Sequence, residues 1–269
     1  MVLKPVYALS LILLVTAGCL EGHTSSQPRS FSDLGDAGVR IAVCDPGHCP
    51  AGRYAYAVLT NIESMDPDLG VRIRQNIATN DPDVRAVLDK VLTGEVDAGF
   101  VYITDAELEG DRVSVIEIPT ELAPLPQYGI AAVKGSSNPD AAALFIDFVL
   151  SEEGQSILVK HGFLPAVEDP QPFTPERSHG GGGLTIYAAA SLTDVFREMA
   201  ERFEEETGIK SDVSFGSSGI MRQKIEAGAP ADLYASASIK HIDTLITEGF
   251  ADGYEVFARN RLVVVTGRR

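Results

Sequence analysis

One pattern recurs along this chain and restricts its fold more than any other. A short run of apolar, often β-branched residues reaches a turn of Asp, Gly, Ser or Pro, and a stretch with a helical apolar stripe follows. Residues 39–43 read as a buried strand entering the turn Asp45-Pro46-Gly47, and Pro50-Ala51-Gly52 opens a helix, because proline is tolerated at the first helical position. Asn80-Asp81-Pro82 repeats the signal before Val84, Val87, Leu88 and Val91, with Gly94 as the stop and a strand over 98–103. Residues 128–133 predict another strand, and Asn138-Pro139 opens a helix burying Phe145, Phe148 and Val149. A second run of alternation begins with a strand over 184–188. There Ser191-Leu192-Thr193-Asp194 reads as a capping box for a helix burying Leu192, Val195, Phe196, Met199 and Phe203. Strands at 213–215, 233–235 and 261–266 complete the pattern, with helices between them. Strand, helix, strand alternation of this kind predicts an α/β fold.

Between the two runs, residues 167–183 lose periodicity. Asp169, Pro170, Pro172, Pro175 and the run Gly180 to Gly183 describe a flexible connector. The glycine run lacks the spaced Gly-Lys-Ser pattern of a phosphate loop and precedes a strand instead of following one. The length of 269 residues suits two compact lobes. The formal net charge of -16 argues against nucleic acid as a partner and requires any anion site to override the global field locally.

The start of the chain reads as a targeting segment: Lys4, an apolar run over 6–15 too short to span a bilayer, then Ala17-Gly18-Cys19. That triplet resembles the lipobox of lipoproteins, although Thr16 stands where Leu, Val or Ile is usual. Residues 1–19 are accordingly expected to be a lipoprotein signal peptide with Cys19 as the lipidated residue, and 20–30 a polar tether. Cys44 and Cys49, with His48 between them, make a poor metal cluster; they admit a disulfide or, more simply, two small buried residues in a tight loop.

Three turns place small, donor-rich residues where a strand hands over to a helix: Ser191, Ser217-Ser218 and Pro50-Ala51-Gly52. Helix starts present unpaired N–H groups and partial positive charge, so several that converge hold an anion without Lys or Arg. Taken singly, Ser191 and Ser218 read as caps of their own helices. A serine hydrolase is the rival reading, but Gly216-Ser217-Ser218-Gly219 is one residue short of the nucleophile elbow, and His48, His161 and His241 lack a triad context.

The flanking residues carry a resemblance. Ala188-Ala189-Ala190-Ser191-Leu192-Thr193, Phe215-Gly216-Ser217-Ser218-Gly219 and Ala227-Gly228-Ala229-Pro230-Ala231-Asp232 resemble, in order, the first half of the molybdate-binding proteins of ABC transporters. Asp45-Pro46-Gly47-His48-Cys49-Pro50-Ala51-Gly52-Arg53-Tyr54, Gly99-Phe100-Val101-Tyr102 with Thr104-Asp105-Ala106, and Gly162-Phe163 resemble the second half. The order is reversed, so the chain resembles a circular permutant in which 167–183 bridges the old ends.

The resemblance implies a type II periplasmic-binding-protein-like fold, two lobes that each hold a mixed sheet flanked by helices, with ligand in the cleft. One lobe would comprise 31–127 plus 257–269, the other 128–166 plus 184–256, with crossing strands at 128–133 and 261–266. It further implies a non-enzymatic receptor outside the cytoplasm, anchored to the cell membrane by lipid. That receptor would bind molybdate or tungstate, use no cofactor, and deliver the anion to a permease and its cytoplasmic ATPase. The implied donors are the Ser191 and Ser218 hydroxyls, with Ser217 as an alternative to Ser218, the amides of Ala51 and Val101, and the Tyr128 hydroxyl.

A fully deprotonated oxyanion offers only acceptors, whereas phosphate near neutral pH also needs one and would pay about 1–3 kcal/mol for an unpaired O–H in a dry cleft. Sulfate is also all-acceptor, and a sulfate receptor of the same fold is the alternative. Tungstate-selective archaeal relatives add carboxylates; none stands beside Ala51 or Val101, so a tetrahedral site is expected.

Overall fold

A computed structural model describes residues 27–175 and 182–268. The leader, Cys19 and the tether up to residue 26 lie outside the described residues, as do 176–181 of the connector. Among the described residues, no helix is long and apolar enough to cross a membrane.

The chain builds two mixed sheets, each flanked by helices, in a two-lobe α/β arrangement. The first half contains β1 (Ile41–Cys44), α1 (Pro50–Met65), α2 (Pro67–Gln75), β2 (Ile77–Asp81), α3 (Val84–Leu92), β3 (Ala98–Tyr102), α4 (Ile103–Glu109) and β4 (Val113–Glu117). Then come β5 (Gln127–Ala132), α5 (Pro139–Leu150), α6 (Glu152–Lys160) and β6 (Leu164–Pro165). After the connector follow β7 (Leu184–Ala189), α7 (Thr193–Thr207), β8 (Ser211–Gly216), α8 (Ser218–Glu226), β9 (Leu233–Ser236), α9 (Ile239–Thr247), β10 (Glu255–Arg259) and β11 (Leu262–Gly267).

The first lobe has strand order β2-β1-β3-β11-β4, and the second β6-β10-β5-β9-β7-β8. In the first, β1 runs parallel to β2 and β3, while β11 is antiparallel to β3 and β4. In the second, β7 runs parallel to β8 and β9, and β5 is antiparallel to β9 and β10. The chain passes between lobes twice, over 118–126 and through Asn260 and Arg261. Sheet membership therefore changes at Asn260 and not at 257, because β10 pairs with β5 through its whole length before the backbone turns into β11. Strands 128–133 and 261–266 each belong wholly to one sheet, and the crossings are the short segments beside them.

The apolar stripes read from sequence bury as expected: Val84, Val87, Leu88 and Val91 on α3, and Val195, Phe196, Met199 and Phe203 on α7. The second lobe centres on packed rings, with Phe145 edge-on to Phe203 at 5.0 Å and tilted against Phe196 at 6.0 Å. Phe173, inside the stretch expected to be a loose connector, packs edge-on against Phe148 at 5.1 Å. Its N–H donates to the Glu153 carboxylate at 2.9 Å, and the Gln171 carbonyl accepts from Glu152 N–H at 3.0 Å. The described part of the connector is thus docked, since an aromatic side chain in a Pro-rich stretch still gains by burial. The elements α2, β2, α4, β4, β6 and β10 are not legible in the apolar pattern; β2 alternates partly exposed and exposed residues up to a buried Asp81, and β4 buries only two of its five.

Candidate functional site

Six chain segments converge where the lobes face each other. From the first lobe come Cys49, Pro50 and Ala51 at the start of α1, Asp83 and Val84 at the start of α3, and Tyr102 at the end of β3. From the second come Ala189, Ala190 and Ser191 at the end of β7 and just beyond it, Ser217 and Ser218 at the start of α8, and Ala237 after β9. The starts of α1, α3 and α8 border this space; Asp83 takes the Arg85 and Ala86 amides of α3 and the His48 carbonyl takes the Gly219 amide of α8, while a helix start otherwise leaves its first amides without intrahelical partners.

The local sequence explains why these hydroxyls face the cleft. The expected capping box at Ser191 does not form: residues Ala190–Leu192 make a tight 3-10 turn, α7 starts at Thr193, and no side chain caps it. The Ser191 hydroxyl instead meets the Tyr128 hydroxyl at 3.0 Å. Ser217 occupies the N-cap position of α8 without capping it, and its buried Oγ has no partner. Ser218 Oγ accepts from Ala237 N–H at 3.1 Å, tying α8 to the end of β9. None of the three serines serves as its own helix's cap.

Of the residues singled out in the sequence, Ala51, Ser191, Ser217 and Ser218 line one cavity. Tyr128 stands behind Ser191 and Val101 immediately before Tyr102; neither lines it. Side chains alternate along a strand, so only one of Val101 and Tyr102 can turn its side chain to the cleft, and it is Tyr102. Asp83 was missed because it reads as a simple helix cap. It is one: its carboxylate accepts from Arg85 N–H at 2.9 Å and Ala86 N–H at 3.1 Å. No Lys or Arg is among the lining residues, and Asp83 is the charged one.

The enclosed space is about 10 Å³, room for roughly one water, and the lobes are shut against each other. Gly219 N–H donates to the His48 carbonyl at 2.8 Å, and Arg53 Nη1 meets His241 Nε2 at 2.7 Å. Arg85 bridges the lobes, with Nη2 on Asp194 at 2.6 Å and Nε facing Asp105 at 3.2 Å. Burial raises Asp105 to about 6, opposed by Arg85 and by the N–H of Tyr102, which Asp105 accepts at 3.1 Å. Burial, and then the charge of Arg53, pushes His241 down to about 3. The phenols of Tyr102 and Tyr128 are driven well above their ordinary range by burial, so both stay protonated.

Cys44 and Cys49 are buried free cysteines, the simplest of the three readings of that loop. Among the described residues, no group of three or more His, Cys, Asp and Glu side chains is arranged to hold a metal ion. His161 pairs with Glu198 at 2.7 Å and His241 with Arg53, so neither histidine is spent on a serine.

Comparison with known proteins agrees with this architecture. Over 135 residues the chain is 33% identical to the molybdate-binding protein ModA of Mycobacterium tuberculosis, covering 50% of this chain and 48% of that protein. It is 41% identical over 86 residues to ModA of Escherichia coli K12, covering 31% and 34%. Over 139 residues it is 33% identical to YvgL of Bacillus subtilis, described as a putative ABC transporter substrate-binding lipoprotein, covering 51% and 50%. The chain thus spans about half the length, or less, of these relatives. A crystal structure of a phosphate ABC transporter's phosphate-binding protein from Streptococcus pneumoniae shares the fold, with a TM-score of 0.53 at 15% identity, covering 86% of this chain and 89% of that one. The family model described as bacterial extracellular solute-binding protein matches residues 4–164 and 184–268, and over those two segments this chain belongs to that family.

Proposed function

We propose that this protein is the extracytoplasmic receptor of an ABC importer and that it binds molybdate or tungstate in the cleft between its lobes. The observation that carries the reading is a buried interlobe site walled by helix starts and serine hydroxyls with no basic side chain. Apart from Asp83, whose Oδ1 already accepts from the Arg85 and Ala86 amides, such a wall is rich in donors, which suits a fully deprotonated tetrahedral oxyanion. The similarity to ModA proteins supports the same ligand class.

In this reading Ser191, Ser218 and the Ala51 amide donate to the anion, with Ser217 beside them and Tyr128 acting through Ser191. The Val101 amide, one residue before the lining Tyr102, is a further proposed donor. Lobes part to admit the anion and close on it, and the closed form docks on a permease driven by a cytoplasmic ATPase. Lipid attachment at Cys19 would keep the receptor at the membrane. The reversed order of the two halves is proposed to be a circular permutation. Two features support it: the family match falls in two segments that omit 165–183, and Gln27 donates its side-chain amide to the Gly267 carbonyl, so residues near both ends of the described chain meet.

The test is thermal unfolding of the protein beginning after Cys19, alone and with molybdate, tungstate, sulfate or phosphate. Ligand at about a hundred times its dissociation constant adds roughly 2.7 kcal/mol, which raises Tm by several degrees at about 2–4 °C per kcal/mol. A rise with molybdate and tungstate but not phosphate is expected. A rise with sulfate of equal size would move the assignment to a sulfate receptor, and no rise with any anion would sink the oxyanion reading.

A further inference from the structure

The wall of the cavity carries no basic side chain, yet three of the helices around it hold a basic residue one turn further on. Arg53 stands one turn along α1 from the lining Cys49 and Pro50, and its N–H donates to the Cys49 carbonyl. Arg222 stands one turn along α8 from the lining Ser218, and His241 lies in the first turn of α9, just beyond the lining Ala237. The two lobes meet here through Gly219 and the His48 carbonyl, so these groups share one patch. Arg53 Nη1 meets His241 Nε2 at 2.7 Å, and the charges of Arg222 and His48 act on the same imidazole.

Hydrogen bonding in the patch is incomplete. Arg53 Nη2, Arg222 Nε and His48 Nδ1 are buried atoms without partners. Arg222 pairs with Glu226 on its own helix, whereas Arg53 has no ion pair among the described residues and bonds only to His241. A guanidinium drawn partly out of water ordinarily secures a carboxylate, because its charge is costly to desolvate alone. Its partner here is an imidazole that burial, and then Arg53 itself, keeps neutral. That pair also crosses between the lobes, from α1 to α9, so parting them breaks it. A carboxylate would have cancelled the positive charge; a neutral imidazole leaves it intact.

We infer that Arg53, flanked by Arg222 and His48, is a capture site at the rim of the cleft that draws in a doubly charged tetrahedral oxyanion while the lobes are apart. The anion then passes to the uncharged wall as the lobes close and Arg53 returns to His241. This rests on the oxyanion reading above and adds a route of entry to the same site. A chain with a formal net charge of -16 repels a dianion at long range, and a wall of neutral donors exerts little pull beyond contact. A guanidinium acts over about 10 Å at 0.1 M salt, and its planar fork matches two oxygens of a tetrahedral anion.

The test is stopped-flow tyrosine fluorescence with sodium molybdate, which separates association from dissociation in wild type, Arg53→Gln, Arg53→Lys and Arg72→Gln. Arg72 is exposed on α2, which contributes nothing to the cavity, so its substitution changes the net charge equally but at a distance. Arg53→Gln is expected to slow association about three- to tenfold at low salt, and the gap should close near 1 M salt, where charges are screened beyond about 3 Å. Arg53→Lys keeps the charge and is expected to associate at close to the wild-type rate. Faster dissociation with unchanged association in Arg53→Gln would make Arg53 a latch of the closed lobes and overturn the proposal. Equal slowing in Arg72→Gln would overturn it too, by assigning the effect to net charge. A wild type that binds no molybdate by calorimetry would instead defeat the oxyanion reading itself, and the capture site with it.

Discussion

Gly219 shows how a single residue governs whether the lobes can meet. A Cβ built there would lie 2.6 Å from the His48 carbonyl oxygen and 2.7 Å from its Cα, both backbone atoms that cannot swing aside. The same residue donates its N–H to that carbonyl. Glycine is required by the approach of a foreign backbone, since its own φ needs no left-handed conformation. In Gly219→Ala the parted arrangement should dominate, because the clash exists only when the lobes close, and alanine is the better helix former by about 1 kcal/mol. We expect a larger radius of gyration by small-angle scattering and at least tenfold weaker molybdate binding; unchanged values of both would show that closure does not use this contact. Sequence alone marked Gly219 as part of a turn before a helix and could not show what lay opposite it.

Among the elements, α3 is the one that brings negative charge to an anion site. Asp83 is needed there because its carboxylate satisfies two first-turn amides, a cap worth about 1 kcal/mol. The helix start favours an anion through its own dipole, and Asp83 partly cancels that field. Asp83→Asn keeps an oxygen to accept both amides and removes the charge. It is expected to leave Tm within about 1–2 °C of wild type and to tighten molybdate binding several-fold, read by calorimetry. Weaker binding would mean that the carboxylate takes part in coordination. The stripes of α3 and α7 were legible because helical burial repeats every three to four residues. The cap at Ser191 was misread because a 3-10 turn and a helical first turn share the same residue preferences. Only the position of Tyr128 decides where that hydroxyl goes.

At the scale of the whole molecule, the lobes are joined by polar contacts that respond to pH. His241 on α9 faces Arg53 on α1, with Arg222 from α8, Lys240 from its own helix and His48 from the loop before α1 acting on it in the same sense. In the closed form it is held neutral down to about 3, whereas a solvated imidazole titrates near about 6.5. A depressed histidine contributes to closure fully above the higher value and loses that contribution as pH falls toward the lower one. Affinity for the anion should therefore decline from pH 7.5 to 5.5 more steeply in wild type than in His241→Gln. Tungstate titrations at matched ionic strength check this, and parallel profiles would remove His241 from the closing mechanism. Asp105, which titrates at about 6 on the opposite side of the cleft, is present in both proteins and drops out of the comparison.

Local sequence determined the alternation of strand and helix, the buried stripes, the helix starts at Pro50 and Asn138, and the clustering of serines at turns. These follow from backbone sterics and from periodic burial, which act over a few residues. The likeness of short motifs to a receptor family carried the two-lobe fold as well. Tertiary structure alone decided that β10 belongs with β5, that Phe173 anchors the connector, and that Tyr102 rather than Val101 turns its side chain to the cleft. It also decided that His241 lies 2.7 Å from Arg53, 188 positions earlier in the chain. Each of these depends on which groups from distant segments are left to satisfy one another once water is excluded, and no local pattern records that.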